Sequence, residues 1–130
     1  MLERAGQRGA YDDLHKAELT AFLRERPAAY DLIVSADTLI YFGELRAVAA
    51  AAHGALRVGG TLVFTLESLA ADEAGTYRLR DSGRYAHDRA YAQEVFEAAG
   101  LQVDAPVETA LRNENEVPVR GWLVVARRVA

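Results

Sequence analysis

The sequence predicts an α/β fold built on a mostly parallel sheet, with an antiparallel C-terminal hairpin at its edge. Three observations carry that expectation. Apolar-rich runs of strand length alternate with stretches whose apolar residues recur at helical spacing. The run from Leu32 to Ala36 is apolar apart from Ser35 and lies between two acids, Asp31 and Asp37, as in a strand covered on both faces. Towards the C-terminus, two strand-like runs instead flank the polar turn "NENEVP".

Taken in order, "MLERAGQR" reads as a short charged helix stopped by Gly9, and the stretch around Tyr11 to Ala17 as a strand with partial alternation. A short helix starts at Thr20, and the buried strand follows at residues 31–36. Leu45, Val48, Ala49, Ala52 and Leu56 then fall at helical spacing, with Gly59-Gly60 as the stop signal. "TLVFTLE" is a further strand, and residues 68–87 form a polar segment. A helix over 88–99 places Tyr91, Val95, Phe96 and Ala99 on one face, with Asp88 as its cap and Gly100 as its end. "LQVDAPVETALR" and "VRGWLVVARRV" are the two strands of the closing hairpin, the second with Trp122 as a core residue.

Composition sets the outer bounds. The chain has 130 residues, 51% of them hydrophobic, enough for one domain spanning 1–130. No apolar run has the length of a membrane span, and "MLERAGQRGA" lacks the apolar stretch of a signal peptide, so a soluble, cytoplasmic protein is expected. Without cysteine there is no disulfide, no thiolate catalysis and no cysteine-ligated zinc. His15, His53 and His87 show no metal-ligand spacing, so no metal is expected. The net charge of −4, with dispersed basic residues, gives no stripe that would track nucleic acid.

Five blocks carry a resemblance: "MLERA" with "YDDLHKAEL", "YDLIVSADTLIYFGEL", "ALRVGGTLVFTLE", "GRYAHDRAYAQEVFEAAG" and "ALRNENEVPVRGWLVVARR". In this order they resemble the C-terminal two-thirds of a class I S-adenosylmethionine-dependent methyltransferase, closest to the group often fused behind tetratricopeptide repeats. The family's domain begins with a strand, a G-x-G-x-G turn, a helix and a second strand ending in an acid. No such turn occurs here, since Gly6 and Gly9 follow no strand. The resemblance thus implies an incomplete Rossmann-like methyltransferase sheet with helices on both faces. By itself the chain would be inactive and would bind S-adenosylmethionine weakly or not at all. Because Met1 matches an internal methionine of the family pattern, a late start or an excised domain is expected ahead of a natural remnant.

Methyl transfer from a sulfonium is an in-line displacement, so binding residues dominate such a site, with a base needed only if the acceptor must lose a proton. The resemblance implies that Glu18 and the Leu19 amide meet the adenine; Glu18 reads equally as a solvated helix-capping residue. It places the methionine end of the cofactor against Ser35, Ala36 and Asp37, at the carboxyl end of the buried strand. Asp37 would orient the cofactor's ammonium or the substrate, or else cap a helix. On the acceptor side stand Tyr41, Phe42, Glu67, Arg84, Tyr85 and Arg112, with His87 as a candidate base or, alternatively, a residue at a helix start. The methyl acceptor would be a small molecule or a protein side chain. A non-catalytic interaction module using the exposed sheet edge is the alternative reading, and that edge also predicts a homodimer.

Overall fold

The computed structural model describes residues 18–36, 38–70, 73, 75–114 and 116–130, with no side-chain account of Arg112 or Glu114. The expected N-terminal helix and strand, and Asp37, lie outside the described residues.

Helical residues 18–24 (α1) lead into β1 (Tyr30–Ser35), a 3-10 turn (Leu39–Tyr41), α2 (Arg46–Ala55) and the long β2 (Leu56–Ser68). A short hairpin, β3 (Tyr77–Leu79) and β4 (Tyr85–His87), precedes α3 (Arg89–Ala98), and β5 (Leu101–Val103), β6 (Val107–Glu114) and β7 (Val117–Arg128) close the chain. Helix α3 begins as its sequence implies: the Asp88 carboxylate accepts from the Tyr91 N–H, which satisfies one of the first-turn donors. It ends against Gly100, whose φ of +102° suits a residue without a Cβ.

The described strands form one 7-stranded sheet centred on β2. Strand β7 runs antiparallel along β2 from Thr61 to Glu67, so β1 and β4 must share the opposite edge of β2. There β1 pairs in parallel up to Phe64, and β4 begins only at Glu67. Between them the chain leaves the sheet at Ala36, and this departure is what opens a crevice.

Residues of β1, β2 and β7 that face the helices alternate along each strand. Leu62, Phe64, Leu66 and Val124 are at most 2% exposed, and they share one core cluster with buried residues of all three described helices. The Phe64 and Phe96 rings meet with centroids 4.5 Å apart. Burying each such side chain is worth about 1.5–3 kcal/mol, so this layer dominates the stability. The opposite face differs. Leu32 is 58% exposed and Val34 64%.

Four expectations are corrected. The sheet is mixed rather than mostly parallel: the parallel pairings are β1–β2 and β2–β4, and the other four are antiparallel. Strand β7 makes three of the antiparallel pairings, and the fourth is β3–β4, a hairpin inside the stretch read as polar, closed by the Arg80 N–H to Arg84 carbonyl bond at 2.8 Å. Its Tyr77 and Leu79 are exposed, so no apolar alternation announced it. Among the described residues strand β1 is covered on one face, not two, and the described helices all serve that one face. Gly59-Gly60 does not stop a helix: α2 ends at Ala55, and the glycines lie in a bulge where the β1–β2 register jumps between Tyr30 and Leu32. The expected strand 101–112 is broken at residues 104–106, where Asp104 donates its N–H to Val125 and Pro106 has none to give.

Candidate functional site

A cleft of about 250 Å³ opens where β1 ends. Leu19 and Leu23 of α1 form one wall, Ser35 and Ala36 the floor, and Thr38 and Leu39 the lip. Its position follows from the topology, since a parallel strand that ends beside a continuing neighbour leaves room outside its carboxyl end. No charged side chain is among the described lining residues. Apolar walls with backbone groups at the floor suit a planar heterocycle better than a zwitterion.

Three sequence-predicted cofactor residues, Leu19, Ser35 and Ala36, are thus brought together. Glu18 is exposed at the start of the described helix and is not part of the lining. Asp37, which falls between Ala36 and Thr38, is outside the described residues.

Of the predicted acceptor-side residues, Glu67 lies on β2, Tyr85 and His87 on β4, and Arg84 just before β4. Glu67 ends β2's pairing with β7 and is 7% exposed; the Arg84 Nε donates to its Oε2 at 2.6 Å. His87 is fully buried. Its Nε2 lies 3.1 Å from the Gly43 carbonyl, which can only accept, so Nε2 carries the proton. Among the described residues Nδ1 has no hydrogen-bond partner. Burial pushes the imidazole pKa down; the Gly43 and Phe42 carbonyls and the Glu67 charge pull weakly the other way. Burial thus favours the neutral ring, which has no exposed surface through which to take a substrate proton.

Around it stand Tyr77, Tyr85 and Tyr91, with ring centroids 6.1, 6.5 and 6.4 Å from the imidazole. Tyr91 accepts the Leu45 N–H at 3.2 Å, and burial raises the pKa of its phenol. Tyr41 sits half-buried on the 3-10 turn. Arg112 is placed on β6 opposite Val119. Trp122, expected in the core, is partly buried against it and donates Nε1–H to the His87 carbonyl at 3.2 Å.

Sequence reasoning missed Tyr77, hidden in the polar stretch, and Gly43. A Cβ on Gly43 would come within 2.7 Å of Tyr77 and 2.8 Å of Tyr85. The only signal for it was one glycine in "YFGEL". Among the described residues no group of three or more His, Cys, Asp or Glu could hold a metal ion.

No protein-family model matches the sequence, and no curated protein matches it. Solved structures do. A SAM-dependent methyltransferase from Methanosarcina mazei superposes with a TM-score of 0.61 at 12% identity, covering 80% of this chain and 61% of its own. An S-adenosylmethionine-dependent methyltransferase from Mesorhizobium loti gives 0.57 at 18%, covering 78% and 64%. Magnesium protoporphyrin IX methyltransferase from Synechocystis, solved with bound SAM, gives 0.53 at 15%, covering 82% and 42%. The fold is that of the class I methyltransferases. At these identities the likeness reaches the methyltransferase fold alone, and the chain spans less than two-thirds of the length of each of these structures.

Proposed function

We propose that this chain forms the acceptor-side part of an S-adenosylmethionine-dependent methyltransferase, with the cleft after β1 taking the adenosyl end of the cofactor. The observation that carries this reading is the convergence of Leu19, Ser35 and Ala36 in one cleft at the carboxyl end of a parallel strand. The narrower likeness to the group fused behind tetratricopeptide repeats rests on the five sequence blocks.

The residues present fit part of the cofactor. Bound S-adenosylmethionine supplies an electrophilic methyl on a sulfonium. Leu19 and Leu39 would pack against the adenine, and the Leu19, Ser35 and Ala36 backbone would present the hydrogen-bonding groups. Nothing described in the lining offers a charge for the ammonium or carboxylate, and the sequence holds no two glycines spaced as in G-x-G. Each absent charge-assisted hydrogen bond removes about 1–3 kcal/mol, and losing several takes a micromolar site past millimolar. On the acceptor side, Tyr41, Glu67, Arg84 and Tyr85 would orient a polar small molecule or protein side chain, and the chain alone is expected to be inactive.

Saturation-transfer NMR with S-adenosylhomocysteine tests the reading. Saturation should reach the adenine protons, and Thr38→Trp, which fills the lip, should abolish it; calorimetry should show no micromolar site. Transfer that survives Thr38→Trp places binding elsewhere, and a micromolar site overturns the partial fit.

A second reading, an interaction module, is favoured by β1 itself. Among the described residues no strand pairs with its outer edge, and the run Leu32 to Ser35 carries no charge or proline to discourage pairing. We propose a second copy as the occupant, since antiparallel pairing of two β1 edges about a twofold axis is self-complementary.

A further inference from the structure

We propose that His87 is a positioning residue, donating from Nε2–H to the Gly43 carbonyl to fix the segment that links the cleft to the acceptor side. This rests on the reading of the cleft as the cofactor site. The segment has two ends with different tasks. Thr38 and Leu39 form the lip of the cleft, and α2, which starts at Arg46, contributes Val48 and Ala52 to its inner wall. Between them, Phe42 to Leu45 form no regular element, and two long-range bonds tether them: Gly43 carbonyl to His87 at 3.1 Å, and Leu45 N–H to the Tyr91 hydroxyl at 3.2 Å. Both tethers come from β4 and α3, so the segment that follows the lip is tied to the acceptor side, while Thr38 itself is held to the end of β1 by its hydroxyl, which donates to the Ala36 carbonyl at 3.2 Å.

His87 is itself well anchored. Its carbonyl accepts from the Leu69 N–H at 3.1 Å and from Trp122 Nε1–H at 3.2 Å, and its backbone pairs with Ser68 on one side and Tyr77 on the other. The ring is fully buried, so no water stands ready to replace it at the Gly43 carbonyl. Gly43 packs so closely on Tyr77 and Tyr85 that the turn cannot slide towards the ring to find another donor. A donor fixed from behind, meeting an acceptor blocked in front, gives a single position for the lip.

Nitrogen NMR of the wild-type ring and two variants test this. The ring should show a slowly exchanging proton on Nε2 and a bare Nδ1. His87→Phe keeps the bulk and removes the donor, so the amides of Ala36, Thr38, Leu39 and Gly43 should shift; His87→Gln, whose amide nitrogen falls near Nε2, should return them towards wild type. S-adenosylhomocysteine affinity should fall several-fold in His87→Phe and recover in His87→Gln. A proton on Nδ1, unshifted lip amides in His87→Phe, or His87→Gln as perturbed as His87→Phe would each overturn the proposal. Should His87→Phe not fold, the wild-type tautomer and the Gln variant still decide it. Should wild type show no ligand binding, the cleft reading fails while the tautomer and amide shifts still judge the tether.

Discussion

His87 binds fewer protons in the folded chain than in the unfolded one, because burial disfavours the imidazolium more than the neighbouring carbonyls and Glu67 favour it. The sign follows. A folded pKa below the ordinary 6.5 gives stability that is fully present above that value and is lost as pH falls beneath it through the folded pKa. The groups facing the ring are Glu67 on β2, Tyr77 on β3, Tyr85 on β4 and Tyr91 on α3. Urea midpoints should therefore drop as pH falls below about 6.5 in the wild type, and drop less in His87→Gln. Equal slopes in the two proteins would show that another group sets the acid limit. At this scale the sequence placed Arg84, Tyr85 and His87 together because "GRYAH" precedes a helix start, and put Glu67 on the same side because it closes the strand of "TLVFTLE". It could not indicate that the ring would be sealed in, since burial depended on Tyr77 and Gly43, which come from elements with no recognisable pattern.

Helix α2 and strand β2 show how local chemistry was visible while its use was not. Gly59 and Gly60 were evident breakers, but α2 had already ended four residues earlier, and Gly59 adopts φ +87° inside the bulge that brings β1 into register with Thr61. Gly54, by contrast, is helical, and a Cβ added there would meet nothing within 4 Å. Opposite outcomes are expected from the same substitution. Gly54→Ala should stabilise by about 0.5–1 kcal/mol through helix propensity. Gly59→Ala should destabilise by about 1–2 kcal/mol, although its surroundings are open, because an L residue is strained at that φ. Thermal denaturation of the two variants checks both, and a neutral Gly59→Ala would mean that the bulge relaxes. Helix α3 was readable to its ends because Asp88 and Gly100 each perform one local task. The β3–β4 hairpin was not, because pairing with β2 rather than any apolar alternation holds it in the sheet.

For the whole molecule, alternating strands and helices indicated the α/β class, and five blocks in order indicated a methyltransferase sheet. What could not be read was the division of the two faces: Leu32 and Val34 look as core-like as Ile33, yet they lie on the side where no described helix packs. An apolar face beside an edge that no described strand pairs is a costly combination, and pairing with a second copy would relieve part of it. Light scattering at micromolar concentration should give the mass of a dimer, and Val34→Lys should return a monomer. A monomeric wild type whose mass and solubility are unchanged by Val34→Lys would exclude the second copy. The cleft is the more central claim, because the cofactor, the lip and the tether all refer to it. An amide-resolved NMR titration with S-adenosylhomocysteine addresses it most directly. Shifts confined to Leu19, Ser35, Ala36, Thr38 and Leu39, with an affinity weaker than about 1 mM, are the expected result; shifts centred anywhere else on the sheet, or none at these residues, would contradict it.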